Sequence, residues 1–107
     1  MRKYYLFIVQ AKVAEVYEND LKDLYTSLYG LYKGRFNNLN YRISLFEQIC
    51  VPFKVDVINN YFKRLLYVKK HNNKYLYNKR ILVCDFANHD YFWLSKQNTK
   101  IKSFEYN

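Results

Sequence analysis

Residues able to carry chemistry are few in this chain. Cys50, His71, Cys84 and His89 are its only Cys and His residues, and none stands at CxxC or HxxxH spacing. Metal centres usually draw their ligands from such close pairs, so no metal site is expected. Cys84, between Val83 and Asp85, reads as a small buried hydrophobe. His89 and Asp90, with Asp85 nearby, are a conceivable general base and its orienter. The same stretch, Ala87-Asn88-His89-Asp90, is rich in residues that bond their own backbone in turns, and a turn is the simpler reading. There is no G-x-S-x-G elbow, and Gly30 and Gly34 are the only glycines, so no Gly-rich loop can cradle a phosphate. The expectation is a protein with no catalytic residues and no cofactor, and hence not an enzyme.

Binding chemistry is better represented. Lys63-Arg64, Lys69-Lys70, Lys74 and Lys79-Arg80 interleave with Tyr61, Phe62, Tyr67, Tyr75 and Tyr77. Rings that stack on bases and cations that track phosphates are what a single-strand binder uses. No zinc-finger, helix-turn-helix or RNP-type pattern accompanies them, and aromatics at helical spacing more often form core. The net charge of +9 is uneven: residues 1–50 hold seven Lys/Arg against five Asp/Glu, residues 51–107 eleven against four. A basic second half suits nucleic acid, an anionic surface or an acidic protein. The plainer reading is a solvated surface in a chain whose 13 Tyr and many Asn and Lys reflect AT-rich coding.

A chain of 107 residues, half of them hydrophobic, makes one domain with a real core and is not disordered. The whole of 1–107 is therefore expected to be a single domain. Two Cys are too few for a secreted disulfide scaffold. The longest clean apolar run, Tyr4 to Val9, is far short of the roughly 20 residues that cross a bilayer. Arg2 and Lys3 before it imitate a signal peptide, but the run is too short for an h-region. A cytoplasmic monomer with no membrane partner is expected.

The elements that would carry these residues can be read from periodicity. Lys3 to Val9 alternates Tyr4, Leu6 and Ile8 with Tyr5, Phe7 and Val9. Both sides are apolar, so this strand should be covered on both faces or lie centrally. Val13, Tyr17, Leu21, Leu24, Leu28 and Leu31 then step by four or three along one face of a helix over about 11–31, ending near Gly30 to Gly34. Phe36 to Cys50 keeps helical spacing through Leu39, Ile43, Phe46 and Cys50, with Asn37-Asn38 as an N-cap and Pro52 as a stop. Phe53 to Ile58 alternates like a short strand, or equally opens a helix through Tyr61, Phe62, Leu65, Leu66 and Val68; a short strand followed by that helix is the preferred reading. After the polar break at 71–74, Arg80 to Phe86 and Tyr91 to Leu94 form an antiparallel hairpin. Ser95 onward reads as a mobile tail or a late strand. The resulting fold class is α+β: a small, mainly antiparallel sheet of residues 3–9 and the 80–94 hairpin, packed against two or three helices.

Two segments together resemble a known family. The first is Tyr4-Tyr5-Leu6-Phe7-Ile8-Val9 with the helix that holds Val13, Ala14, Tyr17, Leu21 and Leu24. The second is Ile81-Leu82-Val83-Cys84-Asp85-Phe86, a turn, then Tyr91-Phe92-Trp93-Leu94, with Gln48, Ile49 and Pro52 as a middle step. Together they look like the SirA family, the sporulation inhibitors of replication of endospore-forming Firmicutes, here in a form shortened between Pro52 and Arg80. The resemblance implies a non-enzymatic protein that binds the N-terminal domain of the initiator DnaA and blocks new rounds of replication. It implies contact positions at Val13 and Tyr17, and a further contact near Arg42 and Ile43. Val13 departs from the family, where an aromatic can stand. A small basic nucleic-acid-binding protein using residues 54–80 is the alternative.

Overall fold

The computed structural model describes residues 1–11, 21–35, 41–52, 54–71, 74–77 and 79–95. Its strands are β1 (Arg2–Ala11), β2 (Tyr41–Val51), β3 (Arg80–Asp85) and β4 (Asp90–Trp93). Its helices are α1 (Leu21–Tyr32), α2 (Val55–His71) and the single turn α3 (Lys74–Tyr77). The strands form one antiparallel sheet in the order β2-β1-β3-β4. The expected α+β class is therefore observed, with β1 central.

The two-sided alternation of β1 decides the layers. Tyr4, Leu6 and Ile8 are buried with Ile81 and Val83 of β3, beneath Ile58, Phe62 and Leu66 of α2 and Leu76 of α3. Tyr5, Phe7 and Val9 face the other way, toward Leu82, Cys84 and Trp93, where Leu24, Tyr25 and Leu28 of α1 close over them. Each fully buried side chain of this size contributes roughly 1.5–3 kcal/mol, so neither layer is stable without the sheet between them.

Leu24 is core as expected, at 2% exposure, but Leu31 is 42% exposed. The stripe on α1 turns instead through Leu21, Leu24, Tyr25, Leu28 and Tyr29. The helix ends where its glycines predict. Gly34 takes a φ of 80°, its N–H donates to the Leu31 carbonyl, and Arg35 N–H donates to the Gly30 carbonyl. These are the two bonds of a Schellman cap, which needs a left-handed residue at that position. The beginning of the expected helix, residues 12–20, lies outside the described residues, as do the N-cap at Asn37-Asn38 and the tail from 96 onward.

Two expectations are corrected. Residues 41–51 are strand β2, not a helix. The register shifts between Leu6 and Phe7, whose partners are Glu47 and Leu45, so Phe46 is an extra residue on β2. That β-bulge breaks the period of two. Ile43 lies on the α1 face, Phe46 and Ile49 on the α2 face, and the run imitates helical spacing. The second correction concerns 55–58, which open α2 rather than forming a strand. Ile58 N–H donates to the Lys54 carbonyl, and burial of Ile58, Phe62 and Leu66 along one face outweighs the short alternation. The terminal hairpin is observed with Asp85 opposite Asp90.

Candidate functional site

The positions implied for a protein partner fall on two segments. Val13 and Tyr17 lie outside the described residues. Arg42 and Ile43 lie on β2, an edge strand, where they pair with Gln10 and Val9 of β1. Ile43 is half-buried and packs against the cluster under α1. The sheet thus brings 42–43 beside the last residues of β1, and the chain reaches Val13 two residues after that strand ends.

An aromatic cluster occupies the same side of the sheet. Tyr25 stacks on Tyr91 with ring centres 4.2 Å apart, and Tyr32 stacks on Phe86 at 4.6 Å. Tyr5 reaches both Tyr32 and Phe86, at 5.4 and 5.1 Å. Lys33 lies over Tyr29 and Tyr32, and Lys3 over Tyr5. Burial, reinforced by Cys84 and neighbouring acidic groups, pushes the Tyr25 hydroxyl up to about 12. It therefore stays protonated and meets His89 Nδ1 at 3.4 Å.

His89, Asp90 and Asp85 do come together, as a turn. Asp85 accepts from the backbone N–H and the side-chain amide of Asn88, capping the one-turn 3-10 segment Phe86–Asn88. His89 ends that segment in the left-handed region at φ 52°, ψ 40°. Asp90 accepts from the N–H of Tyr91 and so faces its own backbone. Asp85 also forms a buried ion pair with Arg2, which periodicity could not reveal because it depends on strand register. Burial likewise pushes the Cys84 thiol up, as befits a hydrophobe in the core. Among the described residues no cluster of three His, Cys, Asp or Glu side chains could hold a metal ion. No helix among them is long and apolar enough to cross a membrane.

The basic-aromatic segment divides between core and solvent. Phe62 is fully buried, and half-buried Tyr61 donates to Glu47 at 2.9 Å. Burial and that bond push its hydroxyl well above the usual range. Tyr67 and Tyr75 are 59% and 62% exposed. Lys63, Arg64, Lys70, His71, Lys74 and Arg80 are exposed too. Between Asp56 and Asp85 the sequence contains no acidic residue. Lys69 has its pKa lowered, first by burial and then by Lys70 and Arg80, so cations of α2 and β3 crowd one another.

Comparison with protein-family models, with curated proteins and with solved structures finds no match to this chain.

Proposed function

We propose that this protein is a non-enzymatic inhibitor of replication initiation that binds the N-terminal domain of DnaA, as its resemblance to the SirA family implies. The observation that carries the reading is the β1–β2 register. Arg42 and Ile43 pair with Gln10 and Val9, close to the end of β1 at Ala11. Residues 9–10 and 42–43, far apart in sequence, thereby share one end of the β1–β2 pair, and Val13 follows the last residue of β1 by two positions in sequence. Tyrosine suits such a surface, because it presents large area with few rotors and a hydroxyl, and it is enriched among binding hot spots. Binding there would occlude the initiator domain without chemistry, consistent with the turn-forming roles of His89 and Asp90.

The test is calorimetric titration of the isolated N-terminal domain of DnaA with the full chain. Saturable binding of one protein per domain is the expected result. Absence of heat and of complex by gel filtration refutes the reading.

A further inference from the structure

The outer face of α2 is a second surface, independent of the DnaA reading. Lys63, Arg64, Tyr67, Lys70 and His71 recur at the spacing of a single helix face and are all exposed. Lys74 and Tyr75 continue the exposed, basic-aromatic character into α3, whereas Arg80 stacks on Trp93 on the α1 face of the sheet. The stretch from 57 to 84 carries seven Lys/Arg and no Asp or Glu. A surface that serves only solubility mixes both signs, whereas beyond Asp56 in its first turn α2 and then α3 carry cations alone. Among the described residues Lys63, Arg64, Lys70 and Lys74 have no ion-pair partner.

Rings are set among the charges. The Tyr67 and His71 ring centres lie 4.5 Å apart, and Lys79 Nζ lies 6.0 Å from the Tyr75 ring centre. From this arrangement we infer that the outer face of α2, with α3, binds single-stranded nucleic acid, its cations on phosphates and Tyr67 and Tyr75 against bases. An anionic membrane fits less well. An interfacial helix inserts its apolar side, and the apolar side of α2 is already buried on the sheet through Ile58, Phe62 and Leu66. An acidic peptide would neutralise the cations but leave the rings in water. A duplex hides its base faces within the stack, whereas a single strand offers charge and base faces together.

The test is fluorescence anisotropy of a short labelled oligothymidylate titrated with the full chain at several salt concentrations. If Lys63, Arg64, Lys70 and Lys74 each neutralise a phosphate, affinity should fall about 50-fold from 50 to 200 mM salt, the logarithmic salt slope being about 0.7 per contact. Arg64→Ala and Lys70→Ala should each reduce that slope by about 0.7. Tyr67→Ala should weaken binding about fivefold or more and leave the slope unchanged. These side chains are exposed, and circular dichroism checks that the variants stay folded. No binding at low salt overturns the inference, as does a slope indifferent to Arg64 and Lys70. Equal or tighter binding of a duplex of the same length also overturns it, as does equal binding to vesicles containing phosphatidylserine.

Discussion

Arg2 Nε lies 3.3 Å from Asp85 Oδ2, with the two side chains only 6% and 2% exposed. This pair ties the first residue of the central strand to the end of β3, where Asp85 also holds the turn through Asn88. Removing one member of a buried pair strands the other charge and costs about 3–5 kcal/mol. Arg2→Met should therefore destabilise the fold by that amount in urea unfolding. The double variant Arg2→Met/Asp85→Leu should lose less than the sum of the two single changes, because no lone charge is left buried. Strict additivity would mean that the pair is not coupled.

The helix α1 offers an internal comparison. Leu24 is sealed against the sheet and Leu31 is 42% exposed. Leu24→Ala should cost roughly 2–5 kcal/mol through lost burial and the cavity left behind. Leu31→Ala should stay within about 0.5 kcal/mol of the parent. Similar losses at both sites would contradict the helix orientation described here.

Burial raises the Asp90 carboxyl above its usual value near 3.8, with Asp85 adding to the effect, while the Tyr91 N–H and Arg2 oppose it. The folded state then holds a proton that the unfolded chain has already released. Stability falls as pH rises from the unfolded value through the folded one, and the penalty persists above that window. Asp90→Asn keeps an acceptor for the Tyr91 N–H but carries no charge. Its Tm should exceed that of the parent at neutral pH, and the difference should shrink as pH falls toward about 4 and be gone below it. A gap that widens in acid would reverse the assignment.

What the sequence could reveal follows from where periodicity is simple. The two-sided alternation of Tyr4 to Val9, the stripe through Leu24 and Leu28, and the Ala87 to Asp90 turn each obey one local rule, and all three stand in the structure. Strand β2 was not legible, because the extra residue Phe46 shifts the alternation midway and imitates a helix. At 53–58 the alternation of Phe53, Val55 and Val57 matches a strand, but from Val55 onward burial along the much longer α2 dominates. The basic-aromatic segment could be named as a composition and not as a surface. Phe62 and Tyr67 look alike in sequence, and only helix phase sends one to the core and the other to solvent. The Arg2–Asp85 pair needs two strand registers to be known first. Val13 and Tyr17 rest on the family resemblance alone.

The central claim is that the segment after β1 carries the contact with DnaA. Its most direct test is calorimetry of Tyr17→Ala against the isolated N-terminal domain of DnaA, with circular dichroism as the control for folding. Loss of about 2 kcal/mol or more of binding energy, near 30-fold in Kd, with an intact fold is the predicted result. Unchanged affinity would place the contact elsewhere, and an unfolded variant would make Tyr17 a core residue; either result would contradict the account.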